Sequence, residues 1–324
     1  MVEKNQPIWF SVFKANPSRL DAHCAEALGV SRADIKRLIE TSDVLLNNSP
    51  CKPSVRVKTG DEVSIALVAH STTPQVSRAQ RIGDQIIANE WAISIVHDDH
   101  DVMVINKPFG LLVHAASNNA GHNVVAMLID AGVPLAMGQQ HRPGIVHRLD
   151  QFTEGLMIIA KTQAAVDGVH HQFKCRQVTK HYYAVLKGVP ASLEGVIDRP
   201  IGRDASIRAR KSCHHFIEGT QKDAITLYKV RHQWSNGCFV DVDIKTGRTH
   251  QIRVHFASLN CPVLGDSLYS NQPKKSVGYL LQSYYLSFSH PTTNEPLEFK
   301  LPVSDRLKKY AGQTNDGKDT NQHR

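Results

Sequence analysis

The stretch RPGIVHRLDQFTEGLMIIAKT, residues 142–162, joins a charged turn to an apolar segment. Its apolar end, GLMIIA, is typical of a buried strand. The turn before it carries five side chains with polar or ionisable groups: His147, Arg148, Asp150, Thr153 and Glu154. Charges packed between apolar segments are costly to order unless they pair or react. The pattern therefore indicates either a structural Arg–Asp pair or a reactive carboxylate at Asp150, which would act as a nucleophile or electrostatic stabiliser.

Segments of β type surround this stretch on both sides. They are DVMVINK, HYYAVLKG, AITLYKV and CFVDVDI, and the helical patterns NVVAMLIDAG and AAVDGVHHQF interrupt them. Strands with occasional helices predict a mixed α+β domain with a mainly antiparallel sheet, here over residues 90–303. The polar segment 304–324 is predicted to be a disordered tail.

A smaller unit is predicted at residues 18–68. Two amphipathic helices would bury Leu20, Cys24 and Leu28 in the first and Ile35, Leu38 and Ile39 in the second. VLLNN and DEVSIAL follow as short strands. The polar residues 69–89 are predicted to form a linker between the two domains.

Three cations cluster on the second of these helices. Arg32 and Lys36 are four residues apart, and Arg37 is adjacent. Side chains with this spacing share one face of a helix. The cluster is either a phosphate contact or a solvated helix face.

The composition favours a polyanionic or phosphate-bearing partner. The 324 residues include 38 Lys and Arg against 30 acidic residues, a formal charge of +8, and 41% are hydrophobic, enough for a sizeable core. No apolar run approaches the ~18 residues that span a bilayer, and the start lacks a secretory signal. We expect a cytoplasmic protein that does not contact membranes. The six cysteines form no CxxC pair, which disfavours disulfides and zinc.

Several other chemistries lack their parts. No GxGxxG, GxxxxGK[ST] or GxSxG motif is present. His250 and His255 are five residues apart and would diverge on either a strand or a helix, which disfavours a metal site. HDDHD at residues 97–101 is better interpreted as a polar turn than as a calcium loop. Asp150 and Glu154 could form a glycosidase pair, which the sequence neither supports nor excludes.

Taken together, five segments resemble one family. RPGIVHRLDQFTEG resembles the HRLD-x-x-T-small-G signature of the RluA-type pseudouridine synthases. Four further segments agree with that family in the same order: INKPFGLLVH (105–114), KHYYAVLKG (180–188), RPIGR (199–203) and TGRTHQIRVHFASLNCPVLGD (246–266). The unit at residues 18–68 resembles the αL-type RNA-binding module shared with a small-subunit ribosomal protein.

The resemblance implies roles for individual residues. Asp150 matches the family's nucleophile, Tyr182 the tyrosine that lies against the uracil ring and is a proposed base at C5, and Arg253 the arginine that pairs with the carboxylate. Arg148 matches the arginine expected to hold the flipped nucleotide or the RNA backbone. Further RNA contacts are expected from His147, Thr153, Arg203, Arg208, Arg248, Arg32, Lys36 and Arg37. The reaction needs no cofactor and no metal.

The resemblance has departures. Glu154 stands where a small residue is usual, and if it points inward it would repel RNA. Ala115 and His122 replace a proline and a threonine of the family pattern.

The resemblance as a whole leads us to expect a monomeric synthase that acts on structured RNA, with 23S ribosomal RNA as the expected substrate. Transfer RNA is the alternative substrate, and a non-catalytic RNA-binding or ribosome-assembly protein on the same fold is the alternative function.

Overall fold

The computed structural model describes residues 8–11, 18–28, 32, 35–36, 39, 44–47, 49–65, 79–114, 122–136, 142–270 and 278–311. The described residues up to 65 belong to one compact unit, and those from 79 onward belong to a second. None of the helices in these ranges is long and apolar enough to cross a membrane.

The first unit combines short strands with helical segments. Its elements are β1 (Ile8–Ser11), β2 (Ser18–Arg19), α1 (Leu20–Leu28), β3 (Val44–Leu46), β4 (Ser49–Pro50), β5 (Arg56–Val57) and β6 (Glu62–Ile65). An antiparallel sheet has the order β1-β6-β3-β4, and β2 pairs with β5. The strands predicted at VLLNN and DEVSIAL are present as β3 and β6.

The core of this unit follows the predicted apolar spacing. Leu20 and Cys24 of α1 are fully buried, and so is Ile35, with Ile39 at 5% exposure. Ile35 and Ile39 are helical, as are Arg32 and Lys36. These residues pack with Val44, Val57 and Val63. The side chains of Leu28 and Leu38 lie outside the described residues.

The second unit is built on one large sheet. Its strands are β7 (Gln80–Ile82), β8 (Gln85–Ala88), β9 (Trp91–Asp98), β10 (Val102–Lys107), β11 (Thr153–Ala160), β12 (Thr179–Lys187), β13 (Glu194–Asp198), β14 (Gly202–Arg203), β15 (Lys211–Ser212), β16 (Ile225–Trp234), β17 (Gly237–Ile244), β18 (Leu281–Ser289) and β19 (Pro296–Lys300). Its helices are α2 (Val124–Asp130), α3 (Gln163–Lys174), α4 (Gln251–Ser258) and α5 (Asp305–Ala311).

Eleven of these strands form the sheet, in the order β13-β16-β17-β12-β18-β11-β10-β9-β8-β7, with β19 paired to β18. Its pairs are antiparallel, except that β11 runs parallel to β18. This is the predicted α+β fold with a mixed, mainly antiparallel sheet. Met157 and Ile159 of β11 enter one core cluster, whereas Leu156 and Ile158 enter another. Successive side chains of a strand face opposite sides, so both faces of the sheet are buried here.

Gly155 fixes the point where β11 meets β18. It has φ +114°, and a Cβ on it would overlap the carbonyl oxygen of Ser283. Only glycine permits both this backbone conformation and this approach. The residue pins the start of β11, five residues after Asp150, to the centre of the sheet.

Two predicted boundaries differ from the structure. The linker prediction for residues 69–89 does not hold for β7 and β8, which pair with each other and extend the sheet through β9. The prediction of disorder from residue 304 does not hold for α5, where Leu307 is fully buried beside Val185 and Phe239. Residues 312–324 lie outside the described residues.

Candidate active site

A basic cavity of about 580 Å³ opens beside the start of β11. The described side chains that line it include eight cations: Arg142, Arg148, Lys174, Arg176, Lys180, Lys245, Arg248 and Arg253. Asp150 is the acidic residue among the described side chains that line the cavity. A cavity of this size can hold a small ligand or one nucleotide, and its charge favours an anionic one.

The loop that carries Asp150 is held from behind by Lys107. The Lys107 side chain has no exposed surface, and its Nζ donates to the carbonyl oxygens of Pro108 (2.9 Å), Leu111 (2.8 Å) and Gln151 (3.0 Å). Burial lowers the pKa of Lys107 to about 7. Because Gln151 follows Asp150 directly, these bonds fix the backbone of the aspartate.

Asp150 has three polar neighbours from distant parts of the chain. Its Oδ2 accepts hydrogen bonds from Arg253 Nη1 at 2.9 Å and from the Tyr279 hydroxyl at 3.2 Å. His250 Nε2 lies 3.8 Å from the same oxygen. The structure thus brings together Asp150 and Arg253, as the sequence predicted, and adds Tyr279 and His250, which the sequence analysis missed.

Arg253 is held by a second carboxylate. Asp266 accepts from its Nε at 2.6 Å and from its Nη2 at 3.0 Å, and the Asp266 side chain is 1% exposed. Burial is the largest single influence and lowers the pKa of Arg253, but the hydrogen bonds to Asp266 and the attraction of Tyr279, Asp266 and Asp150 together outweigh it and raise the pKa above its ordinary value. The guanidinium therefore keeps its charge and its orientation towards Asp150.

His250 is oriented by Tyr269. It adopts a left-handed backbone conformation (φ 60°) just before α4, and its Nδ1 lies 2.8 Å from the Tyr269 hydroxyl. That hydroxyl accepts the backbone N–H of Lys211 at 2.8 Å, which leaves its own proton for Nδ1. The imidazole proton then sits on Nε2 and faces Asp150. Burial lowers the pKa of His250, so the ring is neutral at pH 7.

Tyr182 lies on β12 between Val242 of β17 and Ser283 of β18, and its side chain lines the same cavity. It is 6% exposed, and burial raises its pKa to about 12. The phenol is therefore protonated at neutral pH. All three predicted catalytic residues line one cavity.

The residues predicted to contact RNA fall into two groups. Arg148 and Arg248 line the cavity, and Arg248 Nε also donates to the Asp223 carbonyl. His147 and Thr153 line it too, but with internal partners. His147 Nε2 accepts a hydrogen bond from the backbone N–H of Ile158 at 2.8 Å. Burial lowers the pKa of His147 to about 3. The Thr153 residue is 3% exposed.

The remaining predicted contacts lie outside the cavity lining. Arg203 and Arg208 are exposed around β14 and the segment after it. Arg32 and Lys36 are exposed in the first unit, where Arg32 Nη2 lies 3.1 Å from an oxygen of Asp21. Arg37 lies outside the described residues.

Glu154 points away from the cavity. Its Oε1 accepts from the Ser304 hydroxyl at 2.8 Å and lies 3.5 Å from Arg306 Nη1. Since Thr153 faces the cavity, the next residue of β11 faces the other side of the sheet. Glu154 therefore neither opposes RNA at the site nor converges with Asp150 as a glycosidase pair would. The two histidines of the metal hypothesis also diverge, because His255 bonds to Thr226 and to the Arg199 carbonyl.

Comparisons with known proteins agree with this geometry. A family model described as RNA pseudouridylate synthase matches residues 101–258, and one described as S4 domain matches residues 18–63. The chain is 33% identical to ribosomal large subunit pseudouridine synthase D of Vibrio cholerae over 305 residues, 89% of each chain. It is 32% identical to the uncharacterized RNA pseudouridine synthase YlyB of Bacillus subtilis over 281 residues, 86% of this chain and 87% of the relative.

Solved structures show the same relationship. Human RNA Pseudouridylate Synthase Domain Containing 1 is 25% identical, with a TM-score of 0.52 over 70% of this chain and 97% of that one. The region that the RNA pseudouridylate synthase family model matches, residues 101–258, includes Asp150, Tyr182 and Arg253.

Proposed function

Given that the chain belongs to the RNA pseudouridylate synthase family and is an isomerase acting on RNA, we propose that it converts uridines of 23S ribosomal RNA to pseudouridine with Asp150 as the nucleophile. Relatives that are similar over most of this chain are named for the ribosomal large subunit, which supports that RNA. The observation that carries the catalytic proposal is the Asp150 carboxylate, held 2.9 Å from Arg253 inside a cavity of cations.

The chemistry is an exchange of one bond at the ribose. The bond from C1′ to N1 of uracil breaks, the base turns, a bond from C1′ to C5 forms, the proton at C5 leaves, and N1 takes up a proton. Asp150 would attack C1′ or C6, or remove a proton to give a glycal. In each route Arg253 and Tyr279 orient the carboxylate through their hydrogen bonds. Atoms and electrons balance without a redox partner, a cofactor or a metal.

Tyr182 would lie against the uracil ring. Because burial raises its pKa to about 12, it starts the cycle as a neutral phenol. Its ring offers an apolar surface to the base, and its hydroxyl can take the C5 proton only if it first gives up its own.

The target uridine has to leave its stack to reach Asp150, which costs a few kcal/mol. Phosphate contacts offset that cost. We propose Arg148 and Arg248 for the contacts at the cavity. Arg203 and Arg208 in the second unit, and Arg32, Lys36 and Arg37 in the S4 domain, would supply further contacts to the RNA. We also propose that the protein works as a monomer in the cytoplasm.

The catalytic proposal is tested by Asp150→Asn. Glu154→Gln is the matched control, because it removes a carboxylate four residues away that faces the other side of the sheet. We expect Asp150→Asn to lower isomerisation of a 23S ribosomal RNA transcript by about 10³-fold or more, with RNA binding within a few fold of the unmutated protein. Glu154→Gln should keep its activity. Isomerisation that survives in Asp150→Asn would end the assignment.

The RNA target is tested by mapping pseudouridine across ribosomal and transfer RNA from cells with and without this protein. The proposal expects one or a few sites to disappear from 23S ribosomal RNA. If sites disappear only from transfer RNA, the substrate is transfer RNA and not 23S ribosomal RNA. An unchanged map with intact RNA binding would favour a non-catalytic binding protein.

A further inference from the structure

Lys180 is a buried cation in the cavity wall without an anionic partner. The residue is 7% exposed and lines the cavity. Within the part of the chain that the structure describes, its ammonium has no hydrogen bond and no carboxylate within 4.0 Å. Its recorded contact is the ring of Phe173, whose centroid lies 5.0 Å from Nζ. An ammonium group carries three donors, so this arrangement leaves its hydrogen-bonding capacity unused.

The surroundings leave this ammonium open to a ligand. Asp243 attracts it at longer range, but Lys245 Nζ already holds the Asp243 carboxylate at 2.5 Å. Gly247 lies alongside, where an added Cβ would come 3.5 Å from Lys180 Nζ. With no side chain at that position, a ligand can approach the ammonium from the direction of the loop at residues 246–249.

Lys180 also lies at a suitable place relative to the target base. It is two residues before Tyr182 on β12, and both side chains are buried and line the cavity. Residues two apart on a strand share one face and are separated by roughly 7 Å. A nucleotide whose uracil rests on Tyr182 would therefore bring a neighbouring part of its backbone to Lys180.

We propose that Lys180 binds a phosphate group of the RNA next to the target uridine, an inference that rests on the proposed function. A phosphate supplies both the charge and the acceptor oxygens that the buried ammonium lacks. The test separates this proposal from two alternatives. In one, the ammonium bonds a carbonyl oxygen of a base; in the other, its contact with Phe173 is purely structural.

The three cases differ in salt dependence and stability. A phosphate contact releases condensed counterions when RNA binds, so its loss lowers the slope of log K against log salt by about 0.7 for single-stranded RNA. A contact with a base carbonyl releases none. A purely structural lysine would leave RNA binding alone, and its removal would destabilise the fold.

The experiment uses the full chain carrying Lys180→Met, which keeps most of the length of the side chain and removes its charge. Lys187→Met is the matched control, because Lys187 is an exposed lysine at the other end of β12 and does not line the cavity. Binding of a uridine dodecamer is measured by fluorescence anisotropy at several salt concentrations, and melting temperatures are measured without RNA.

We expect Lys180→Met to weaken binding about 5- to 10-fold at low salt, to lower the salt slope by about 0.7, and to raise the melting temperature by a few degrees. Lys187→Met should leave the slope unchanged. An unchanged slope in Lys180→Met would overturn the proposal, and weaker binding at that unchanged slope would indicate a base contact instead. Lys180→Gln repeats the test if the methionine variant does not fold; failure of both to fold would show a structural lysine and also overturn the proposal.

The outcome is separable from that of the proposed function. The unmutated protein is assayed for pseudouridine in the same preparation. If it makes none but binds RNA with a slope that Lys180→Met lowers, the synthase assignment fails and the phosphate site stands. If it makes pseudouridine and Lys180→Met leaves the salt slope unchanged, the synthase assignment stands and the phosphate site fails.

Discussion

Two of the described lysines in the second unit are buried, and their surroundings differ completely. Lys107 reaches three carbonyl oxygens behind the Asp150 loop, whereas Lys180, on the cavity wall, has a hydrogen bond to none of the described residues. Burial lowers the pKa of both, to about 7 and about 8. Burial of a charged side chain therefore does not by itself identify its role. A cation whose donors are all used holds the fold, and one whose donors face a cavity is available to a ligand.

Arg253 gives the extreme case of a buried cation with full pairing, and it should show the largest effect. Arg253→Met removes the partner of Asp150 and leaves Asp266 buried without its bidentate contact. We expect a loss of about 3–5 kcal/mol in the free energy of unfolding, together with loss of isomerisation. Urea denaturation checks the stability, and a change below 1 kcal/mol would show that the pairing contributes little.

Lys107→Met should follow, with an effect on the fold of the same sign. It leaves the carbonyls of Pro108, Leu111 and Gln151 without this donor, and the loss of those bonds outweighs relief from burying the charge. We expect a loss of about 2–4 kcal/mol in the free energy of unfolding. The comparison with Lys180→Met is the measurement that matters, because the same substitution should destabilise at one site and stabilise at the other. If both substitutions change the free energy of unfolding in the same direction, the two lysines do not differ in the way that we propose.

The stabilisation by Lys180→Met should depend on pH. The pKa of Lys180 is lowered from 10.5 to about 8. Between these values the unfolded chain binds a proton that the folded protein does not, so stability from this group rises with pH. The cost of burying the charge, at most roughly 3 kcal/mol, is fully present below pH 8 and is gone by about pH 10.5.

The difference in melting temperature between Lys180→Met and the unmutated protein isolates this group from the others that titrate in the same range. Asp243 and the neutral His147 are the titratable groups that act on Lys180 or respond to it. We expect the variant's advantage to shrink as pH rises from 7.5 to 10. A constant difference would show that the charge is not the cause.

Tyr269→Phe should give the smallest effect, because Tyr269 acts on the cavity through its hydrogen bond with His250. It removes the hydroxyl that orients His250 and keeps the ring over which Arg253 lies at 5.1 Å. We expect kcat to fall about 5-fold, equivalent to roughly 1 kcal/mol, with KM nearly unchanged. Tyr228→Phe is the control, because its hydroxyl donates to the Ser192 carbonyl away from the cavity. In a His250→Asn background, Tyr269→Phe should add nothing further, and additive losses would contradict action through His250.

Local pattern was sufficient for most strands, and the resemblance to the family indicated the candidate catalytic residues. The apolar segments at β10, β11, β12 and β17 were identified by composition, and Asp150, Tyr182 and Arg253 by motifs that resemble those of the family. The direction of Glu154 was also accessible. Once β11 is taken to begin at Thr153, alternation sends the next side chain to the other face. Placing the start of the strand at Gly155 concealed this.

Short elements with little apolar content were missed for a physical reason. Gln80 and Arg81 of β7 are exposed, and this strand is ordered by pairing with β8, not by burial of its own side chains. In α5, Leu307 is the buried residue, and its partners lie on β12, on β17 and beside β18. Neither segment carries a periodicity long enough to distinguish it from a polar loop.

The family, the α+β architecture and the candidate catalytic side chains could be predicted from the amino-acid sequence, because these depend on residue type and on spacing along the chain. Which further groups meet these side chains was set by the tertiary structure. Tyr279 reaches Asp150 from 129 residues away, Asp266 fixes Arg253, and Lys180 is left facing the cavity. Pairing is a property of neighbours in space, and folding brings those neighbours together from segments whose separation in the chain gives no sign of it.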